Sequence, residues 1–244
     1  MNLKVEEVLP YNQNEYKKVQ IETMFDNIAH RYDFLNHLLS FGVDITWRKR
    51  AIREISAINP KIILDMATGT GDFAFEALSL APDKIIGVDL SQNMLDIGIE
   101  KAKKRPSSVN IDFIKGDSEK LDFESDSFDA ITVGFGVRNF QNLDGGLSEL
   151  ARVLKSGGMI AILEPSFPSH PLLRFVFGIH FRYITPIIGK LFSKDASAYS
   201  YLPDSVSAFP QGSNFCQILE KAGFSNTKHL PLTFGMCALY LARK

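Results

Sequence analysis

Residues 62–74 read Ile62-Ile-Leu-Asp65-Met-Ala-Thr-Gly69-Thr-Gly71-Asp72-Phe-Ala74, a short apolar run that leads into a glycine-rich turn. The apolar run predicts a buried strand, and the residues after Gly71 predict the start of a helix. Glycine has no Cβ, so Gly69 and Gly71 let the backbone turn tightly and approach a ligand closely. A strand, a glycine turn and a helix in this order predict the first unit of a nucleotide-binding α/β sheet.

Short β-rich runs alternate with helical patterns from residue 62 onward, which is typical of a doubly wound sheet. The predicted parallel strands cover residues 62–64, 85–88, 111–114, 128–133 and 159–163. The predicted helices cover residues 72–80, 91–104 and 143–154, with Ser91 as an N-cap and Gly157-Gly158 as the stop of the last one. A helix over 215–222 then precedes strands over 227–230 and 236–242, whose short connection predicts an antiparallel pair at one edge. The predicted fold class is therefore α/β, with a doubly wound, seven-stranded, mostly parallel sheet.

The whole chain, residues 1–244, is predicted to form one domain. Of its 244 residues, 45% are hydrophobic, and α/β folds of this length commonly share a single core. Aromatic-rich helical patterns before the sheet predict an N-terminal helical extension over residues 1–60. Prolines and many aromatic residues after residue 163 predict an inserted helical cap over residues 165–202.

Composition and charge limit the classes of function. The formal net charge is -1, so no global attraction to nucleic acid is expected and nucleic acid is not predicted as a partner. Cys216 and Cys237 lack CxxC spacing and the histidines lack metal-ligand spacing, so no metal site is predicted. The N-terminus has no secretory-signal pattern, and no run of about 18 apolar residues occurs. We therefore expect a cytoplasmic protein that does not span a membrane.

The glycine turn alone leaves two ligand classes open. Its spacing also fits a dinucleotide fingerprint, and Asp89, at the end of the next predicted strand, lies where an acid holds ribose hydroxyls in either class. Charge favours one class over the other. A dinucleotide places an anionic pyrophosphate at the helix N-terminus, where Asp65 and Asp72 would repel it. The sulfonium and ammonium groups of S-adenosylmethionine suit an acidic rim instead, so we expect this cofactor.

Five motifs carry a resemblance that covers nearly the whole chain. They are Phe25-Asp-Asn-Ile-Ala-His-Arg-Tyr32-Asp33-Phe-Leu-Asn36, Gly42-Val-Asp-Ile-Thr-Trp47-Arg, Asp65-Met-Ala-Thr-Gly-Thr-Gly-Asp72, Phe135-Gly-Val-Arg138-Asn139 and Asp195-Ala-Ser-Ala-Tyr199-Ser-Tyr-Leu202. In these motifs the chain resembles the class I S-adenosylmethionine-dependent methyltransferases, and within them the demethylmenaquinone and ubiquinone-menaquinone biosynthesis C-methyltransferases. The run from Phe135 to Asn139 and the Tyr-Asp-x-x-Asn segment are far more specific to that family than the glycine turn.

In a doubly wound sheet the ligand lies outside the carboxyl ends of the strands. Three predicted strands end at acids, and the fourth ends at the loop 134–139, so these groups are expected to share one rim. We expect the glycine turn to hold the methionine part of the cofactor, Asp89 its ribose, and Asp117 with Ser118 its adenine. The predicted cofactor-binding residues are Asp65, Thr68, Gly69, Thr70, Gly71, Asp89, Asp117 and Ser118.

The resemblance implies methylation of a ring carbon in a prenylated quinol substrate. A ring carbon is a weak nucleophile until a quinol hydroxyl loses its proton. Arg138 and Asn139 are predicted catalytic residues, because their loop can stabilise the phenolate or hold the water that takes the proton. Arginine stays protonated at neutral pH, so the expected role of Arg138 is electrostatic. Asp72 and Tyr32 are further catalytic candidates by the resemblance.

Residues 166–194 contain no Asp or Glu, four Lys or Arg, and many large apolar side chains. This composition favours peripheral contact with an anionic bilayer at the inner face of the membrane, where an isoprenoid tail can enter. A homodimer interface or an ordinary core cap would have the same composition, so these alternatives stay open.

Three classes of function remain at this point. The favoured one is a quinol C-methyltransferase that converts demethylmenaquinol to menaquinol, with a ubiquinone-pathway benzoquinol as the alternative acceptor. The second is a methyltransferase for another small lipophilic acceptor, and the third is a dehydrogenase-like or non-catalytic nucleotide-binding protein. The loop 135–139 favours the first over the second, and Asp72 disfavours the third. The tail length, the oligomeric state and the general base are not determined by the sequence.

Overall fold

The computed structural model describes residues 3–11, 14–106, 110–179 and 197–244. Its strands are β1 (Ile62–Met66), β2 (Lys84–Asp89), β3 (Ile111–Lys115), β4 (Phe128–Gly134), β5 (Leu154–Pro165), β6 (Ser225–Leu232) and β7 (Cys237–Arg243). They form one seven-stranded sheet in the order β3-β2-β1-β4-β5-β7-β6. Strands β1 to β5 pair in parallel, and β7 runs antiparallel to both β5 and β6. The predicted doubly wound sheet and its antiparallel edge pair are confirmed.

The helices are α1 (Lys17–Leu39), α2 (Asp44–Ile55), α3 (Asp72–Ala77), α4 (Gln92–Lys103), α5 (Leu143–Val153), α6 (Pro171–Ile179), α7 (Ser197–Ala208) and α8 (Ser213–Lys221). Within the described residues, no helix is both long and apolar enough to cross a bilayer. Helices α1 and α2 lie where the N-terminal extension was predicted. Of the predicted cap, residues 180–196 lie outside the described residues, and α7 continues beyond residue 202.

Apolar residues bury the sheet on both faces. One face packs against α5 and α8, with Leu147 and Leu219 fully buried in that cluster. The other face packs against α2 and α3 through residues such as Trp47, Ile55 and Phe73. Because both faces are covered, the central strands consist of continuous apolar runs, which is the pattern that made them predictable.

The predicted helix stop at Gly157-Gly158 and the predicted end of α3 are wrong. Helix α5 ends at Val153 and β5 begins at once, so Gly157-Gly158 lies inside the strand and does not stop a helix. The register explains why, since Phe128 pairs with Leu154 whereas Ala130 pairs with Met159. The extra residues on β5 form a bulge, and Gly157 adopts the positive φ of +81° that glycine tolerates there. Helix α3 ends at Ala77 and continues only as a 3-10 turn.

The predicted N-cap of α4 is confirmed. The Ser91 hydroxyl accepts a hydrogen bond from the Met94 amide at 3.2 Å, which satisfies one of the free amides at the helix start. Ser91 also donates to the Asp26 carboxylate of α1 at 2.5 Å. The cap therefore ties the N-terminal helix to the sheet domain.

Candidate active site

Two cavities meet beside the carboxyl ends of the strands. The strand-end cavity, of about 640 Å³, is lined by residues that follow β1, β2 and β4 and by one face of α1. The helix-walled cavity, of about 1030 Å³, is lined mainly by residues of α1, α2, α6 and α7. Phe25, Tyr32 and Phe135 line both cavities. A group in one cavity can therefore reach a group in the other at this shared wall.

Four of the predicted cofactor-binding residues line the strand-end cavity: Gly69, Asp89, Asp117 and Ser118. The Asp89 carboxylate accepts the Gly69 amide at 2.8 Å and the Ser91 amide at 2.9 Å, so it joins the glycine turn to the start of α4. Burial raises the pKa of Asp89 to about 6. Asp117 forms an ion pair with Lys18 of α1 at 3.2 Å. The acids that follow β2 and β3 thus face one space, as expected.

Asp65 is placed differently from the expectation that it forms part of the rim. It lies inside β1, its side chain is fully buried, and it is absent from the lining of both cavities. Its carboxylate accepts the hydroxyls of Thr68 and Thr132, each at 2.6 Å, and the Ala74 amide at 3.1 Å. Asp65 therefore links the glycine turn to β4 and to the start of α3 by buried hydrogen bonds. Its contact with the cofactor stays a prediction, and the same holds for Thr68.

The rest of the glycine turn supports the cavity without lining it. Gly71 has a φ of +88°, and a Cβ at this position would come within 2.7 Å of the Phe113 ring, so glycine is required there. Thr70 is buried and donates its hydroxyl to Asp33 of α1 at 2.5 Å. Neither residue lines a cavity in the described part of the chain.

Asp72 begins α3 as predicted, but its carboxylate is balanced by cations of the protein itself. Lys101 contacts it at 2.7 Å and Arg48 at 3.3 Å, and Asp72 lines neither cavity. Lys101 also binds Asp33 at 2.7 Å and Thr70 at 2.9 Å. Asp72 therefore presents no free negative charge to a ligand and does not contribute to the predicted acidic rim. Its catalytic role stays a prediction.

The loop after β4 spans the boundary between the cavities. Phe135 has a left-handed backbone with a φ of +60°, and its carbonyl accepts from the Arg138 guanidinium and from the Asn139 amide group at 3.4 Å. Arg138 lines the helix-walled cavity, whereas Asn139 lines the strand-end cavity. The strained turn at Phe135 therefore sends two predicted catalytic side chains to the two sides of the shared wall.

Tyr32 lies at the shared wall itself. It is carried by α1 and packs edge-on against Phe25, with ring centroids 5.8 Å apart. Burial raises the pKa of the Tyr32 hydroxyl. The group is therefore protonated at neutral pH, which suits a hydrogen-bond donor better than a base.

Three residues that contact this loop were missed by the sequence reasoning. The Glu164 carboxylate of β5 pairs with the Arg138 guanidinium at 3.0 Å. The Tyr201 hydroxyl of α7 donates to the side-chain oxygen of Asn139 at 3.0 Å. Lys17 of α1 donates its amine to the Arg138 carbonyl at 3.0 Å. Two signals existed. Tyr201 lies in the motif 195–202, and Glu164 ends a run as apolar as residues 159–163, where an acid has to find a buried partner.

The strand-end cavity fits S-adenosylmethionine in its donor set. The Asp89 carboxylate can accept ribose hydroxyls, the Gly69 backbone borders the cavity, and Met94 and Phe140 supply apolar lining. The fold has solved relatives. It is similar to a solved S-adenosylmethionine-dependent methyltransferase from Thermotoga maritima, with a TM-score of 0.61 and 19% identity, over 92% of this chain and 99% of that one. A solved putative S-adenosylmethionine-dependent methyltransferase from Methanococcus maripaludis gives a TM-score of 0.59 at 19% identity, over 96% and 95% of the two chains. The chain therefore has the fold of the class I S-adenosylmethionine-dependent methyltransferases, and the strand-end cavity lies at the ligand-binding edge of that fold.

A family model narrows the class. The model of the ubiE/COQ5 methyltransferase family matches residues 12–244, and the chain belongs to this family. It is 48% identical to a demethylmenaquinone methyltransferase of Bacteroides fragilis, with both chains fully covered. It is 44% identical to the enzyme of that name from Chlorobaculum parvum, over 92% of each chain. It is also 43% identical to the ubiquinone/menaquinone biosynthesis C-methyltransferase UbiE of Geotalea uraniireducens, over 93% of this chain and 97% of that one. The resemblance inferred from the five motifs is confirmed.

Proposed function

We propose that this chain transfers a methyl group from S-adenosylmethionine to a ring carbon of a prenylated quinol, converting demethylmenaquinol to menaquinol. One observation carries the proposal: a cavity suited to the methyl donor shares the wall of Phe25, Tyr32 and Phe135 with a larger second cavity. The names of its relatives from Bacteroides fragilis and Chlorobaculum parvum support the same acceptor.

The helix-walled cavity suits a ring that carries an isoprenoid tail. Most of its lining is apolar, with Ile28, Leu39, Trp47 and Phe177 among the contributors. Few polar groups interrupt this lining, and Arg138 is the buried cation among them. A large apolar cavity with a few fixed polar groups is typical of sites that bind lipophilic ligands and orient one polar end.

The chain's residues would act mainly by electrostatics and orientation. When bound, S-adenosylmethionine would supply a methyl group on a positively charged sulfur. The ring carbon that accepts the methyl group would lose its hydrogen as a proton, and the quinol oxygen would regain one, which restores the aromatic ring. Arg138 would stabilise the quinol oxygen as it loses its proton, because a guanidinium stays charged and its site excludes most water. Tyr32, protonated at neutral pH, would donate a hydrogen bond at the shared wall. Asn139, held by Tyr201, would keep the water that takes the proton beside the loop.

We also propose that the mouth of the helix-walled cavity rests on a bilayer. Helix α6 contributes Phe177 to the cavity and leaves Leu172 and Phe175 exposed by 64% and 67%. The turn before β7 repeats this arrangement, because Phe234 is 80% exposed two residues before the cavity-lining Met236. Exposed apolar side chains at the entrance of an apolar cavity suit a surface from which a lipid-soluble substrate enters.

The proposed reaction can be tested by S-adenosylhomocysteine release with purified protein and reduced short-chain demethylmenaquinone. We expect turnover by the wild type and a loss of about 100-fold or more in Arg138→Ala, the effect of removing a group that stabilises developing charge. Arg50→Ala is the matched control, since Arg50 pairs with Glu54 on the surface of α2. S-adenosylmethionine binding should be unchanged in both variants.

A parallel assay with the corresponding benzoquinol distinguishes the two pathways. A kcat/KM for demethylmenaquinol at least about tenfold higher would support the naphthoquinol assignment, since about 1.4 kcal/mol of discrimination is within the range of one pocket contact. Wild-type protein that binds S-adenosylmethionine and methylates neither quinol would contradict the proposal. Another lipophilic acceptor would then be sought.

A further inference from the structure

Glu164 is a buried acid close to the end of β5. Its side chain is 1% exposed. The carboxylate accepts the Arg138 amide at 3.2 Å and the Arg138 guanidinium at 3.0 Å. A buried carboxylate is tolerated only when several donors compensate its lost hydration. Both of these donors come from the loop after β4.

Arg138 depends on the same contacts. Its residue is 7% exposed, and among the described residues Glu164 is the acid that forms an ion pair with it. The guanidinium also donates to the Phe135 carbonyl, but its Nε has no hydrogen-bond partner in the described part of the chain. A guanidinium carries five N–H donors in a rigid plane. The contacts with Glu164 and Phe135 therefore fix the plane while leaving donor capacity unused beside the helix-walled cavity.

The two partners differ in how firmly the fold holds them. Glu164 lies within a paired strand, opposite Ala238 of β7. Arg138 lies on a short 3-10 turn that follows the left-handed Phe135. A side chain on the sheet can thus fix the orientation of a side chain on the loop, whereas the loop alone leaves Arg138 several orientations.

We infer that Glu164 is a positioning residue, which holds the Arg138 guanidinium in the orientation that stabilises the quinol oxygen of the acceptor. Pro165, the next residue, lines the helix-walled cavity, but Glu164 lines neither cavity and so acts through Arg138. This inference rests on the proposed function for the identity of the acceptor.

The test compares Glu164→Gln with the wild type in the demethylmenaquinol assay. We expect kcat to fall by about 10- to 100-fold, while KM and the Kd for S-adenosylmethionine stay within about threefold, because the lost interaction matters in the transition state. Glu149→Gln is the matched control, since Glu149 pairs with Arg152 at 2.8 Å on the surface. Glu164→Asp keeps the charge with a shorter reach and should recover part of the loss. Folded Glu164→Gln with wild-type kcat would overturn the inference.

A double-mutant cycle with Arg138→Gln separates positioning from an independent role. If Glu164 acts through Arg138, adding Glu164→Gln to Arg138→Gln should lower kcat no further, whereas independent effects would multiply and contradict the inference. The double variant carries neither buried charge, so it should fold even where a single variant is unstable.

A measurement without substrate tests the contact between Glu164 and Arg138 independently of the proposed function. Nuclear magnetic resonance of the arginine Nη–H groups should show a protected Arg138 signal in the wild type, because Nη1 donates to Glu164 and to Phe135, and the loss of that signal in Glu164→Gln. A signal that stays protected in Glu164→Gln overturns the inference for any acceptor. Wild-type protein without quinol turnover but with the expected signal change would count only against the proposed substrate.

Discussion

Burial acts in opposite directions on an acid and an amine that border the site. It raises the pKa of Asp89 to about 6 and lowers the pKa of Lys17 to about 7. Both shifts have one physical cause, since a low-dielectric environment disfavours the charged form of either group. Each group therefore changes its charge within the range where enzymes are usually assayed.

The first consequence concerns cofactor binding. Below about pH 6 the Asp89 carboxylate becomes protonated, loses its negative charge and becomes a weaker acceptor for ribose hydroxyls, so the Kd for S-adenosylmethionine should rise as the pH falls through this value. Asp89→Asn should weaken binding by about 10- to 100-fold, as expected for a lost charged hydrogen bond of about 1.5–3 kcal/mol. Calorimetric titration between pH 5 and 8 measures both effects. Asp96→Asn, on the exposed face of α4, is the control. An acid dependence that persists in Asp89→Asn would assign it to another group.

The second consequence concerns stability. Between about pH 7 and the ordinary value of 10.5, Lys17 binds a proton in the unfolded state but not in the folded one, so its contribution to stability rises with pH. Lys17→Met removes the titration. The free energy of unfolding of the wild type, relative to that variant, should rise between pH 7 and 9 by at most about 1.4 kcal/mol per pH unit. Urea denaturation at several pH values measures the difference, and parallel curves would show that Lys17 stays protonated.

At the scale of the elements, α1 forms one wall of the strand-end cavity and is fastened to the domain beneath it. Two pairs of residues on α1 make these contacts, and the two members of each pair are about two helical turns apart. Phe25 and Tyr32 line both cavities. Asp26 accepts the Ser91 hydroxyl at the start of α4, and Asp33 accepts the Thr70 hydroxyl in the glycine turn. Helix α1 therefore closes the cavity and is tied by hydrogen bonds to the start of α4 and to the glycine turn.

Lys101 strengthens this coupling, because it binds Asp33 of α1 and Asp72 of α3 at the same time, each at 2.7 Å. Lys101→Met should loosen α1 and raise the Kd for S-adenosylmethionine by about 3- to 10-fold, since a partly exposed ion pair contributes about 0.2–1 kcal/mol and Lys101 forms two of them. Hydrogen exchange of residues 17–39 measures the loosening. Lys103→Met is the control, because Lys103 pairs with Glu100 on the exposed side of the same helix. Equal hydrogen exchange of residues 17–39 in the two variants would contradict the proposed role of Lys101 in holding α1 over the cavity.

The sequence predicts the strands and helices better than it predicts the contacts between distant residues. The strands were predictable because burial on both faces demands continuous apolar runs. The role of Gly157-Gly158 was not predictable, since the pair reads as a helix stop and the bulge that contains these glycines depends on pairing with β4. The partners of Asp72 were also hidden, because Arg48 and Lys101 are distant in sequence and meet it only in the folded chain.

For the whole molecule, the position of the strand-end cavity follows from topology. The strand order turns back between β1 and β4, and the residues after those strands line the cavity. This is the switch point at which doubly wound sheets bind ligands, so the place was predictable from the strand pattern. The position of the helix-walled cavity was not predictable, since segments that are distant in sequence enclose it and no local sequence pattern shows that they come together.

The apolar entrance of that cavity gives a prediction for the molecule as a whole. Wild-type protein should sediment with anionic vesicles, whereas a Leu172→Ser, Phe175→Ser variant should bind about tenfold more weakly or worse, because each lost side chain removes about 1.5–3 kcal/mol of burial at most. Tyr16→Ser is the matched control, since Tyr16 is 74% exposed at the start of α1 and lines neither cavity. Methylation of a soluble short-chain quinol should be equal in all three proteins, because only delivery of the acceptor changes. Equal sedimentation of the variant and the wild type would contradict bilayer contact. A halved mass of the variant in light scattering would instead assign the surface to a second copy of the chain.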